Sequence, residues 1–477
     1  MRFTTRPLSI PIAITALLST LVGVPTAATA DEDTDRRMYT GAVDRTEHHG
    51  SIDGAEYRVE VPDSWNGTLV LFSHGFYPPE WAPDHIELAG RPETAQWLLD
   101  RGYALAASRF KSDGRGYVVE DGFDDQLALL DWFSENVGEP RRTISTGYSQ
   151  GATIASLLAE RAPHRFDGLM TMCGEYDTAG TWNTALDISF VVKTLLARGK
   201  DIDLVKADDP ATSTQALVDA VTEARKTKLG RARLALVGAV ANLPTWYAAH
   251  EQEPTGLRER INAQSLWVQW AYLSGLGPSG RVDLEERAGG NPSWNVGINY
   301  TRQLARSSQK SLVRKAYRAA GANPFRDLRR LARAPRIRPD GRALAYQYRH
   351  GVASGRMKKP IVTLHSTGDG GAITDQERWY AKQVRRRGEP DNLRQLWIER
   401  GAHCSFSPAD EIVTLRSLLQ RVESGTWPNL SPRRLDARVS RFAAPLQTVM
   451  DIGTGETQPM PPAFTRFSPP RFLRPSY

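Results

Sequence analysis

The segment Thr143-Ile144-Ser145-Thr146-Gly147-Tyr148-Ser149-Gln150-Gly151 contains a G-x-S-x-G pentapeptide, and the residues after it, Ala152 to Arg161, are rich in Ala and Leu. A β-branched strand, a glycine-flanked turn and a helix in that order make a sharp elbow that lifts a serine hydroxyl clear of the backbone. Serine is a poor nucleophile at neutral pH and needs a base within hydrogen-bond reach, plus a third group that orients the base. Asp369, in Gly368-Asp369-Gly370-Gly371, and His403, in Gly401-Ala402-His403, follow in that order. Each comes after a run that reads as a buried strand, and the carboxyl ends of parallel strands converge on one sheet edge where ligands bind. The residue types predict acyl transfer, with Ser149 as nucleophile, His403 as general base and Asp369 as the orienting acid. Glu175 and Asp177, just past the strand that follows the elbow, are the alternative acids. The competing reading of Ser149 is an ordinary helix-capping serine.

Acyl transfer also needs donors for a developing oxyanion. The backbone N–H of Gln150 is one, and that of Phe76, in the loop His74-Gly75-Phe76 after the strand 68–73, is the other. His74 is read as a structural residue holding this turn rather than as a second base. Two cysteines are present, Cys173 at the end of the strand beside the elbow and Cys404 directly after His403. In an oxidising compartment such a pair is expected to form one disulfide, tethering the histidine loop to the sheet edge. No C-x-x-C or H-E-x-x-H occurs, so no metal site and no cofactor are expected.

The elements that position these groups are legible in outline. Strand patterns at 55–61, 68–73, 103–108, 143–148 and 169–173 alternate with helical ones near 91–100, 119–137 and 150–161, which predicts a doubly wound, mostly parallel sheet. From residue 175 to 358 strand signals vanish and helical periodicity takes over, clearest at Leu186–Arg198, Thr212–Lys228, Leu229–Leu243 and Leu257–Leu276. Strand signals return at 359–365 and 393–398. The chain of 477 residues, 40% hydrophobic and 24% charged, thus divides into a first core part (31–174), a helical insertion (175–358), a second core part (359–426) and a proline-rich tail (427–477). Residues 1–30 have the charged, apolar and Ala-x-Ala segments of a cleavable secretory signal, which predicts a secreted protein with no stable membrane insertion. The net charge of +7 is uneven: Arg302 to Lys359 holds 17 Lys/Arg against Asp327 and Asp340. A solvated helical face is the expected meaning of that tract, and no nucleic-acid partner is expected.

His74-Gly75, the elbow Gly147–Gly151, Asp369 and His403 together resemble the secreted α/β-hydrolases. Met172-Cys173-Gly174 with Gly401-Ala402-His403-Cys404-Ser405-Phe406 is similar to exported bacterial members of that family. The resemblance implies an α/β-hydrolase fold with a large helical cap inserted between the sixth and seventh strands. It further implies a serine hydrolase acting on a small-molecule ester, or on a short peptide if the chain is aminopeptidase-like. A non-catalytic binding protein on the same fold is the third reading. The Trp- and Arg-rich cap is expected to cover the site with a mixed aromatic and cationic lining, suiting a phenolic or carboxylate-bearing ester.

Overall fold

The computed structural model describes residues 43–476, so the leader assigned to residues 1–30 lies outside the described residues. The strands are β1 (Arg45–Ile52), β2 (Ala55–Pro62), β3 (Thr68–Ser73), β4 (Ala104–Ser108), β5 (Arg142–Tyr148), β6 (Gly168–Met172), β7 (Ile361–Gly368), β8 (Leu393–Gly401), β9 (Thr448–Met450), β10 (Thr457–Pro459) and β11 (Phe464–Thr465). Nine of them form one sheet in the order β1-β2-β4-β3-β5-β6-β7-β8-β11. The six from β3 to β8 run parallel, while β1, β2 and β11 add antiparallel at the two sides.

The period-2 geometry of a strand, with both sheet faces covered, explains why β3 is apolar from Leu69 to Phe72. In β3, Val70 and Phe72 pack on one face with Leu98 of the helix Pro92–Leu99 and Ile412 of the helix Pro408–Ser424. Leu69 and Leu71 pack on the other face with Phe133 of the helix Val119–Asn136 and Ile154 of the helix Gln150–Arg161. Helices on both faces of a mostly parallel sheet, with the elbow after β5, make this an α/β-hydrolase fold. Strand β1 had no sequence signal. Its residues, Arg-Thr-Glu-His-His-Gly-Ser-Ile, lie mostly exposed at the sheet edge and are held by the hairpin with β2.

The helical insertion leaves the sheet after β6 and returns at β7. Its own core is apolar and large, with Leu186, Val191, Leu236, Leu273 and Val313 fully buried. The arginine-rich part folds into amphipathic helices, including Lys310–Ala319 and Pro324–Arg333. These bury Leu312, Val313, Tyr317, Leu328 and Leu331 and leave Arg314, Arg318, Arg326 and Arg329 exposed. Leu257–Leu276 differs from the single α-helix its periodicity predicts. The α-helix stops at Trp267, and Val268–Gly275 forms a π-helix. The wider turn lets Trp270, Ala271, Ser274 and Gly275 all reach the cavity described below.

The proline-rich segment after residue 427 is built into the fold rather than trailing from it. It contributes the helix Pro432–Val439, the β9–β10 hairpin and β11, whose Phe464 pairs with Ile398 of β8. Its last residues dock on the cap. Arg474 is buried against the Asp187 carboxylate and donates to the Trp294 carbonyl at 2.7 Å, and Ser476 N–H donates to Asp177 at 2.7 Å. Proline removes backbone donors without preventing an extended chain from packing. Substituting Arg474→Ala is expected to cost about 3–5 kcal/mol, because Asp187 would stay buried without its cation. Urea denaturation of the variant checks this, and a midpoint equal to that of the wild type would refute it.

Candidate active site

The elbow depends on a close backbone approach. A Cβ on Gly151 would lie 2.1 Å from the Ser73 carbonyl oxygen and 2.3 Å from that of His74, so only glycine lets the helix start directly beside β3. Ser149 is held at φ 52°, ψ −123°, and its N–H donates to the Met172 carbonyl at 3.0 Å. A non-glycine residue in this region is strained, and Cys173, Ala402 and Cys404 nearby also have positive φ. The local backbone strain therefore clusters around one point on the carboxyl edge of the sheet.

Three side chains meet there. Ser149 Oγ lies 2.9 Å from His403 Nε2, and His403 Nδ1 lies 2.9 and 2.8 Å from the two carboxylate oxygens of Asp369. Asp369 is buried and also accepts from the N–H groups of Gly371 at 2.8 Å and Ala372 at 3.1 Å. Gly371 allows the histidine to come this close, since a Cβ there would sit 2.6 Å from the imidazole ring. The disulfide Cys173–Cys404 joins the histidine loop to the end of β6 across a sequence separation of 231. Among the described residues, the one cluster spaced like a metal site is Cys173, His403 and Cys404, and its sulfurs are bonded to each other rather than free as thiolate ligands.

Of the two alternative acids, Asp177 caps the helix Thr178–Leu195 by accepting from Gly180 N–H at 2.8 Å and is further held by Ser476. Glu175 faces the cavity instead, and the orienting bond to His403 comes from Asp369. His74 is locked in the β3 loop, with Nδ1 2.8 Å from the Gly75 carbonyl and Nε2 3.1 Å from that of Arg109. Its ring stacks on Tyr77 and Phe110, and burial lowers its pKa. Phe76 and Gln150 both line the same cavity as Ser149 and His403.

That cavity measures about 800 Å³. Its walls are aromatic and acidic rather than aromatic and cationic. The insertion supplies Trp182 and Trp270 but no Lys or Arg, and Arg91 from the core is the single cation of the lining. The amphipathic cap helices explain the difference, since they turn their arginines to solvent. Glu87 accepts from Tyr77 Oη at 2.6 Å and Tyr148 Oη at 2.8 Å, and Glu411 accepts from Thr94 Oγ1 at 2.7 Å.

Behind the acid stands His365, which sequence reading passed over. Nδ1 lies 3.2 Å from Glu377, and Nε2 lies 2.9 Å from the Ala372 carbonyl and 3.6 Å from Asp369. Burial disfavours the charged ring, but the Glu377 and Asp369 carboxylates outweigh it and hold the pKa above the usual value. The only sequence trace was a histidine inside an otherwise apolar buried strand.

Residues 35–426 match the Tannase-like family of unknown function (DUF6351). The chain belongs to this family. It is also 26% identical over 421 residues to an o-phthalyl amidase of Xanthobacter agilis, a match covering 82% of this chain and 90% of that protein. Similar solved structures include feruloyl esterase B of Aspergillus oryzae, with 14% identity, a TM-score of 0.37, and coverage of 81% of this chain and 82% of that one. Another is the acylaminoacyl peptidase of Pyrococcus horikoshii, with 12% identity, a TM-score of 0.36, and coverage of 76% and 38%. The chain thus spans well under half the length of that peptidase. The tannase-like description of this family supports a hydrolase.

Two outcomes follow from the site's geometry and charge. Replacing both Cys173 and Cys404 by Ser is expected to cost about 2–4 kcal/mol of stability and to slow reaction of Ser149 with a fluorophosphonate. Ellman titration of denatured, unreduced wild-type protein is expected to find no thiol, and two thiols would refute the bond. Burial pushes Glu175, Glu411 and Asp375 each up to about 8. Between their ordinary range and pH 8 the folded protein holds protons that the unfolded chain has released, so stability falls as pH rises. The melting temperature is expected to drop between pH 6 and 8.5, with a shallower drop in Glu411→Gln, and an equal slope in that variant would count against this account.

Proposed function

We propose that this chain is a secreted serine hydrolase that cleaves carboxylic esters of small aromatic molecules through an acyl-enzyme. The observation that carries the reading is the Ser149–His403–Asp369 hydrogen-bond chain at the floor of an aromatic cavity. His403 takes the Ser149 proton as Oγ attacks the ester carbonyl, then donates it to the leaving alcohol. Asp369 keeps Nδ1 protonated and supports the imidazolium that forms. The N–H groups of Phe76 and Gln150 receive the developing oxyanion. Water then attacks the acyl carbonyl as His403 takes its proton, and His403 returns that proton to Ser149 Oγ as the bond to the acyl group breaks and the acid leaves. His365, positioned behind Asp369, fixes that carboxylate without touching substrate.

The signal-like segment at residues 1–30 and the Cys173–Cys404 disulfide support export to an oxidising compartment. Among the described residues, no helix is long and apolar enough to cross a membrane. Amide cleavage is the second reading, favoured by the similarity to an o-phthalyl amidase. The triad serves either bond, and the leaving group decides which is faster. Aryl esters assayed beside the matching anilides separate the two.

Ser149→Ala is expected to abolish turnover and fluorophosphonate labelling, and Asp369→Asn to lower kcat by about 10⁴. Folded wild-type protein that resists the probe at Ser149 would sink the enzyme reading and leave a binding protein on this fold.

A further inference from the structure

Of the four carboxyl groups that line the cavity, Glu175 and the exposed Glu80 make no side-chain hydrogen bond, and only Glu175 is half-buried beside Ser149 and His403. Glu175 is fixed through its backbone: its N–H donates to the Ser149 carbonyl at 3.4 Å, and its own carbonyl accepts from Thr153 Oγ1 at 2.6 Å. The side chain leaves this anchored segment and lines the cavity with Ser149 and His403. Burial, then the Asp369 and Asp177 carboxylates, raise its pKa, and no hydrogen bond contributes. The other inner carboxyls of this cavity, Glu87 and Glu411, already accept from Tyr and Thr hydroxyls. The Glu175 side chain is half-buried and opens onto the cavity, and the open space in front of it is where substrate would lie.

We propose that Glu175 is a specificity-determining residue that hydrogen-bonds a hydroxyl group on the aromatic ring of the substrate. The proposal rests on the ester-hydrolase reading of the same cavity. With its pKa near 8, Glu175 is a neutral acid at pH 7, with one O–H to donate and one carbonyl oxygen to accept. A single hydroxyl satisfies both. A substrate carboxylate would instead meet Asp369 and Asp177 with no nearby compensating cation, because Arg91 stands beside Glu93 and Glu411. An ammonium group needs several acceptors, whereas Glu87 and Glu411 already accept hydroxyl protons and Glu80 is exposed to solvent. The remaining groups in its field are Tyr117 and Tyr272, both buried phenols with raised pKa values, which add no charge at this pH. Phe76, Trp182 and Trp270 supply flat apolar walls for the ring.

The test compares kcat/KM for methyl benzoate, methyl 3-hydroxybenzoate, methyl 4-hydroxybenzoate and monomethyl phthalate in wild type, Glu175→Leu and Glu175→Gln. Wild type is expected to favour at least one hydroxybenzoate over methyl benzoate by about tenfold, the value of one net hydrogen bond. Glu175→Leu is expected to lose that ratio. Glu175→Gln, which keeps a donor and an acceptor, is expected to recover most of it. An unchanged ratio in Glu175→Leu overturns the proposal, as does Glu175-dependent preference for monomethyl phthalate. Calorimetry with free 3- and 4-hydroxybenzamide on Ser149→Ala protein, with and without Glu175→Leu, separates this proposal from the reading beneath it. Loss of binding in the double variant supports Glu175 even if no ester is turned over, and equal binding overturns the proposal even if esters are.

Discussion

The site depends on how closely β5, turning into its helix, can approach the end of β3. Carbonyl oxygens of Ser73 and His74 occupy the space that a side chain at position 151 would need. That contact brings the helix N-terminus and the β3 loop to the same side of Ser149, and it forces the serine into a backbone conformation that non-glycine residues rarely adopt. The apolar residues on both faces of β3, with Ile144 of β5, hold the strained turn in place. Strain of this kind persists only where surrounding packing leaves the chain no alternative.

The histidine is positioned from a different direction. Its loop follows β8 and is constrained on two sides, by the Asp369 carboxylate ahead and by the disulfide to β6 behind. Asp369 is in turn fixed by two backbone N–H groups and faces, at 3.6 Å, His365, whose pKa the Glu377 and Asp369 carboxylates raise. Hydrogen bonds join Ser149 to His403 and Asp369, and His365 to Glu377 of the helix Asp375–Arg387, while the 3.6 Å contact between His365 and Asp369 links the two groups. In a medium of low dielectric each such bond strengthens its neighbours, so the triad is better described as the exposed end of a longer buried network.

The insertion and the C-terminal segment act together. The π-helix Val268–Gly275 widens the helix surface over the cavity and brings Trp270 to within 6.3 Å of the His403 ring, centroid to centroid. The chain end then binds the same insertion through Arg474 and Ser476, which pair with Asp187 and Asp177. A carboxylate that sequence proximity to the elbow suggested as an acid thus serves to join the cap to the terminus.

Local pattern was enough to read the turn at Ser149, the alternation of strands and helices, the presence of a helical insertion and the pairing of two cysteines, and to name Ser149, Asp369 and His403 as candidates for one site. These follow from short-range chemistry: glycine where backbones touch, β-branched runs in buried strands, and an even cysteine count. Only tertiary structure decided what surrounds the triad. Whether an arginine lines a cavity or faces water depends on which helix face packs inward, and both options have the same periodicity. Whether Asp177 is free depends on a serine almost 300 residues away in sequence, and His365 finds its carboxylate partner on a helix on the far side of a turn. Such effects come from long-range contacts that close only when the sheet, the insertion and the chain end are assembled, so no window of sequence carries them.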